Sequence, residues 1–204
     1  MQDLKEIYSK IRKDIEKKIE EFEKNGNDEI AARLEFIFCL LTPQSKAETC
    51  WNAVLRLHDK NLIMNGTIDE IANELKGVRF KYNKARYIVE ARKFFNDCIL
   101  NKIKKLENKE AREWLVKNVK GYGYKEASHF LRNIGKGKDL AILDRHILKN
   151  LKEFEVIKEI PASMTRKKYL EIENKMMKFS EKLDIPMSHL DFVLWYKETG
   201  RIFK

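Results

Sequence analysis

Residues 119–127 read Val119-Lys120-Gly121-Tyr122-Gly123-Tyr124-Lys125-Glu126-Ala127, which puts two glycines two apart just ahead of a lysine. Glycines at that spacing between two helical patterns let the backbone turn tightly and approach a ligand closely. A helix resuming at Tyr124 would aim its free N–H groups and positive dipole end over the hairpin, where a phosphate is the natural occupant. The glycines alone also fit an ordinary helical hairpin. A nucleophilic amine must be available in its neutral form, which burial, neighbouring cations or a helix N-terminus favour. Lys125 stands in the first turn of that helix with Lys120 close by. Nineteen residues after Lys125 stands Asp144, in Leu143-Asp144-Arg145-His146. A carboxylate at a helix N-terminus can offset a developing positive charge or help deprotonate Lys125; Asp144 would serve there equally as a plain N-cap.

The elements that must position these groups are helical nearly throughout. Ile7, Ile11, Ile15, Ile19 and Phe22 recur at three- and four-residue intervals and predict a first amphipathic helix ending near Asn25-Gly26. A second helix is expected from about Asp28 to Leu41, stopped by Pro43, and a third from near Ser45. Thr67-x-x-Glu70 is a capping-box pattern for a short helix ending at Gly77. A long helix is expected from about Asn83 to Lys105, another through Trp114 to Val119, and the hairpin helix from Tyr124 to Gly135. Further helices start near Asp144, Thr165 and Ser188. With no internal repeat and no flexible linker, the expectation is an all-α protein of about ten short helices.

Composition narrows the class. The chain has 204 residues with only 8 Gly and 3 Pro, too few chain breakers for an all-β sandwich. No apolar run approaches the roughly 18 residues that span a bilayer. The N-terminus carries no apolar signal core, so a cytoplasmic protein without membrane attachment is expected. Cys39, Cys50 and Cys98 are odd in number and widely spaced, which argues against a disulfide framework and excludes a four-cysteine cluster within the chain. His58, His129 and His189 are too scattered to read as a metal site. The formal net charge of +10 is localised: residues 76–105 hold ten Lys/Arg against Glu90 and Asp97, and residues 117–150 hold eight against Glu126, Asp139 and Asp144. The remainder is slightly acidic. Two basic segments in an acidic remainder favour a polyanionic partner, most simply nucleic acid.

The glycine hairpin with Lys125 and the following Asp144 together resemble the helix-hairpin-helix DNA glycosylase superfamily, whose members carry a hairpin, a Gly/Pro-rich loop and an essential aspartate in this order. Leu41-Thr42-Pro43-Gln44-Ser45-Lys46-Ala47 resembles that family's segment after its second helix, and Gly77-Val78-Arg79-Phe80-Lys81-Tyr82-Asn83-Lys84-Ala85-x-x-Ile88 resembles its turn into a long helix. The terminal stretch Leu190 to Lys204 resembles the short archaeal-type 8-oxoguanine DNA glycosylase/lyases, which end in a lysine.

The resemblance implies a two-subdomain fold with a cleft between helical subdomains. Residues 31–135 would form a helical barrel with the hairpin, and residues 1–30 plus 136–204 the second subdomain, in one glycosylase unit spanning 1–204. It implies a bifunctional enzyme of base-excision repair, in which Lys125 attacks the sugar C1′ and holds the DNA as a Schiff base before β-elimination, with Asp144 as its acidic partner. It implies DNA contacts from Gln44, Gly121, Gly123 and His146, with the polar residue Gln44 entering the helix near the lesion, and the basic segments add Arg79 and Lys120 as phosphate contacts. Recognition of the flipped base falls to Phe80, Met187, Trp195 and Lys204. The implied substrate is double-stranded DNA containing 8-oxoguanine, acted on by a monomer. No cofactor is required and no side chains form a metal site, although the family's hairpin can bind a cation through backbone carbonyls. Two alternatives are an endonuclease III-type enzyme for oxidised pyrimidines and a non-catalytic hairpin module. The first typically carries a four-cysteine loop near its C-terminus, and no cysteine follows Cys98; the second has no reason to pair Lys125 with Asp144.

Overall fold

The N-terminal isoleucine repeat winds into α1 (Gln2–Asn25), which buries Leu4, Ile11, Ile15 and Phe22 along one stripe. In the computed structural model, which describes residues 1–96 and 99–204, every regular element is a helix. Asp28 starts α2 (Glu29–Leu41) by accepting the Ile30 and Ala31 N–H groups, and α3 (Ala47–Asp59) follows the turn at Pro43. A one-turn helix α4 (Leu62–Asn65) that the sequence pattern does not show precedes α5 (Ile68–Glu74), whose Thr67–Glu70 capping box is formed reciprocally. Within the helix expected over 83–105, α6 (Lys81–Asn96) and α7 (Ile99–Lys104) are described, and Asp97 and Cys98 between them lie outside the described residues. Then come α8 (Asn108–Asn118), α9 (Tyr124–Asn133), α10 (Arg145–Glu153), α11 (Arg166–Leu183) and α12 (Met187–Thr199). No helix among the described residues is long and apolar enough to cross a membrane.

The buried apolar side chains fall into two clusters. One is built from α2 to α9, from Ala32 to Leu140, and the other from α1 and the C-terminal helices, Leu4 to Phe22 and Ala141 to Leu194. The hairpin helix α9 lies between them, packing on α2 and α8 in the first cluster and on α1 in the second. Nothing on its last two turns is exposed.

Two buried ion pairs tie the clusters together. Arg112 of α8 makes a bidentate contact with Glu173 of α11 at 2.5 and 2.9 Å, and Glu173 also accepts the Ala141 N–H at 2.8 Å. Arg132 of α9 reaches Asp191 of α12 at 2.5 Å, its guanidinium lying over the Phe192 ring. Charges this deep are tolerable only because each has its partner, and loss of one partner would strand the other.

Candidate active site

The hairpin between α8 and α9 is locked from below. Tyr122 buries its ring on Phe36 and donates its hydroxyl to the Phe36 carbonyl at 2.8 Å, pinning the turn to α2. Gly121 has φ +91°, and a Cβ there would come within 2.6 Å of the Tyr87 ring, so both its backbone conformation and its space require glycine. The Gly123 N–H, one of the donors that a helix start leaves unpaired, goes to the Glu126 carboxylate at 3.1 Å. Lys120 projects from the turn, exposed, within 3.2 Å of Glu90.

Lys125 occupies the first turn of α9, as the sequence pattern predicts, and is mostly buried, with its side chain 21% exposed. Its amine donates to the Thr42 hydroxyl at 2.9 Å and lies 3.4 Å from the other oxygen of Glu126. Thr42 caps the end of α2 and donates in turn to the Cys39 carbonyl. The amine is therefore held between a hydroxyl from one helix end and a carboxylate from its own helix start. Neither partner could be assigned from the sequence, although both lie inside the motifs read there.

The 41–47 and 77–88 segments, read separately in the sequence, meet. The Ser45 hydroxyl accepts the Arg79 N–H at 3.0 Å and the buried Lys84 ammonium at 3.1 Å. Lys84 also donates to the Leu41 and Pro43 carbonyls. This places Gln44, exposed and at φ +54°, beside Arg79 and Phe80. Phe80, at φ +58° and 54% exposed, faces the Arg79 guanidinium at 5.4 Å.

Asp144 is the N-cap of α10. One carboxylate oxygen accepts the His146 and Ile147 N–H groups, both at 2.8 Å, and the carboxylate makes no hydrogen bond to Lys125 among the described residues. It lies near enough to Asp191 to help burial raise that carboxyl above its usual range. His146 meets the Trp195 ring edge-on at 4.9 Å, and Met187 and Trp195 share the first and third turns of α12.

The chain end is built into the first cluster. Phe203 packs there, and the Lys204 ammonium forms an ion pair with buried Glu35 and stands 3.4 Å from the Trp51 ring centroid. Glu35 holds its other oxygen on Asn133 at 2.8 Å. Beneath lies His129, one turn beyond Lys125 on α9, edge-on to Phe38. Burial drives its pKa well below the usual value, and its ring nitrogens make no hydrogen bond of ordinary geometry, although the Lys204 backbone lies close enough to favour protonation. The sequence singled out Lys204 but not its socket.

Two other features carry no chemistry here. Cys39 and Cys50 are buried free thiols whose burial pushes them up, Cys50 to about 11, away from reactive thiolate. A cleft of about 480 Å³ between α7, α8 and α11 is lined by Trp114, Arg112 and Arg166 among others, but both arginines are already paired, with Glu173 and Glu113. It contains neither Lys125 nor Asp144.

Comparison with known proteins bears on this arrangement. A family model described as 8-oxoguanine DNA glycosylase matches residues 15–185. The 8-oxoguanine DNA glycosylase/AP lyase of Fusobacterium nucleatum is 46% identical, with 99% of this chain and 96% of that protein covered. That of Methanocaldococcus jannaschii is 44% identical, covering 96% and 94%. The M. jannaschii enzyme solved in complex with a 15mer DNA containing 8-oxoguanine superposes with a TM-score of 0.92 at 40% identity, over 100% of this chain and 98% of that one. The Thermotoga maritima 8-oxoguanine DNA glycosylase gives 0.91 at 35%, over 100% and 97%.

Proposed function

The chain belongs to the 8-oxoguanine DNA glycosylase family, and from that premise we propose that Lys125 is the nucleophile with which it removes 8-oxoguanine from duplex DNA. It is a DNA glycosylase and AP lyase of the helix-hairpin-helix fold. The observation that carries the residue assignment is the placement of the Lys125 amine at the N-terminus of the hairpin helix, between Thr42 and Glu126.

The amine forms a bond to C1′ as the bond from C1′ to the base breaks, and the base leaves with the electron pair. Loss of a proton from the nitrogen and opening of the sugar ring give the Schiff base, and β-elimination then expels the 3′ phosphate. Positive charge develops on the sugar during the first step, and the Asp144 anion is the group that offsets it. The amine must give up a proton, and Glu126, 3.4 Å away, is a carboxylate close enough to receive one.

Phosphates of the DNA backbone fall to Lys120, Arg79, His146 and the N–H-rich hairpin at Gly121 and Gly123, with Gln44 filling the duplex where the base has left. The carbonyls of Lys120, Gly121 and Tyr122, which accept no backbone hydrogen bond of the hairpin among the described residues, are the groups that would hold a cation beside a phosphate. No step needs a cofactor. The flipped base is read by Phe80, Met187 and Trp195 as apolar surfaces and by Lys204. Telling 8-oxoguanine from guanine needs an acceptor for its N7–H or a donor to its C8 oxygen, and Lys204, its ammonium engaged by Glu35 and Trp51, is the polar residue assigned to that reading. Action as a monomer and a reducing cytoplasm, which the free buried thiols Cys39 and Cys50 fit, complete the reading.

Borohydride reduction tests the central assignment. An 8-oxoguanine duplex should yield a covalent protein–DNA adduct, and Lys125→Gln should abolish it while leaving duplex affinity intact. An undiminished adduct in that variant would remove Lys125 from this role.

A further inference from the structure

Lys84 is a buried cation with no catalytic assignment and no ion pair among the described residues. It is 4% exposed, and its ammonium donates to the Leu41 carbonyl at 2.7 Å, the Pro43 carbonyl at 2.8 Å and the Ser45 hydroxyl at 3.1 Å. Three N–H donors meet three neutral acceptors, all in one five-residue turn. Burying an ammonium without a carboxylate is costly, so the geometry it secures must matter to the fold or to the site.

The turn it secures is under strain and touches the site twice. Gln44 sits at φ +54°, a conformation that costs a non-glycine residue free energy and persists only when its surroundings hold it. Between the two carbonyls bound by Lys84 lies Thr42, whose hydroxyl receives the Lys125 amine. We infer that Lys84 is a positioning residue: through the 41–45 turn it sets both the Lys125 amine, by way of Thr42, and Gln44, the residue that fills the duplex. This rests on the reading of Lys125 as nucleophile.

The same contacts make the device sensitive to pH. Burial brings Lys84 down to about 8; Lys125 on α9 and Arg79 in the preceding turn push the same way, while Cys50 on α3 and Glu126 on α9 oppose them. A neutral amine keeps two N–H groups for three acceptors, so the turn loses one tie as pH rises through that value.

Single-turnover adduct formation with borohydride on 8-oxoguanine duplex, measured across pH alongside affinity for undamaged duplex, tests the inference. Lys84→Met should slow adduct formation roughly tenfold or more, the scale expected when a reacting group is misplaced, while undamaged-duplex affinity holds. The wild-type rate should fall above about pH 8, and Lys84→Arg, whose guanidinium stays charged, should keep its rate there. If Lys84→Met lacks a cooperative thermal transition, Ser45→Ala, which removes one of the three acceptors, should slow the same step with unchanged melting. A wild-type rate in Lys84→Met, or in Ser45→Ala where the first variant is unfolded, overturns the inference, as does a falling limb in Lys84→Arg identical to that of wild type. Absence of any adduct in the wild-type protein would instead sink the reading of Lys125, and this inference with it.

Discussion

Lys125 and Lys204 are held in opposite ways. Most of what turns Lys125 toward the site begins within a few residues of it: the glycine turn at 121–123, the start of α9 and the Glu126 carboxylate next door. Among the described residues, the hydrogen-bond partner of its amine that comes from afar is Thr42. Among the described residues, the partners of the Lys204 ammonium are all remote in sequence. Its partner Glu35 is 169 residues away, and Trp51 and Phe38 belong to helices of the first cluster. On the proposed assignments, damage outside the hairpin and the 41–45 turn should spare the nucleophile, whereas a base-reading group built by long-range contacts should fail whenever its socket is disturbed. On that reading, chemistry and selectivity are separable.

The sharpest break is expected at Asp144, the proposed acidic partner of Lys125. Asn is as good an N-cap as Asp, so Asp144→Asn should leave the melting temperature nearly unchanged while base excision slows by roughly 10²–10³-fold. Asp144→Ala should add a loss of about 1 kcal/mol of stability from the missing cap. Stopped single-turnover excision assays paired with thermal melts separate the two effects, and equal rates for Asn and Asp would deny the carboxylate its electrostatic role.

Deleting Lys204 probes the remote station. Glu35, 1% exposed, would lose the ammonium that neutralises it, and stripping one partner from a buried pair costs about 3 kcal/mol. Denaturant titration should show that loss. Excision of 8-oxoguanine and its advantage over guanine should shrink together, yet borohydride should still trap the variant on a preformed abasic site, because Lys125 is untouched. A deletion variant as stable and selective as the full chain would mean the socket is idle.

A smaller effect is expected from Gly121→Ala. The new methyl would strain a backbone at φ +91° and meet the Tyr87 ring, for a cost of about 1–3 kcal/mol. Its signature should be weaker binding to undamaged duplex with selectivity among bases preserved, the mirror image of the Lys204 deletion.

The smallest change tests the phosphate contacts. Affinity for undamaged duplex should fall with salt by about 0.9 log units per log unit for each phosphate neutralised, and Arg79→Ala or Lys120→Ala should each lower that slope by about one contact. An unaltered slope in both would make the two basic segments solvated faces.

How much of this could be read in advance follows the same division. The start of α9 at Tyr124, the N-caps Asp28, Asp144 and Thr165, and the capping box at Thr67 all stand where the sequence pattern places them. The helix expected over 83–105 is described in two pieces, and α4 was not visible, since four residues are too few to show a period. In the site, Thr42 and Lys84 sat inside segments that were legible as motifs, but the sequence carried no sign that one receives the amine and the other ties the turn. Glu35 was hidden altogether, a single acid in the apolar run of α2.

The sequence by itself determined which residues turn, cap and start helices, because those choices are made by side chains acting on backbone groups within about four positions. It therefore determined that a lysine would stand at the head of a glycine hairpin and an aspartate at the head of a later helix. Only the tertiary structure decided that α9 would lie between two apolar clusters, that Ser45 would join Gln44 to Arg79, and that the last residue would lodge against Glu35 and Trp51. Those contacts join positions far apart in the chain and exist only once burial has excluded water from both partners, so no local pattern can encode them.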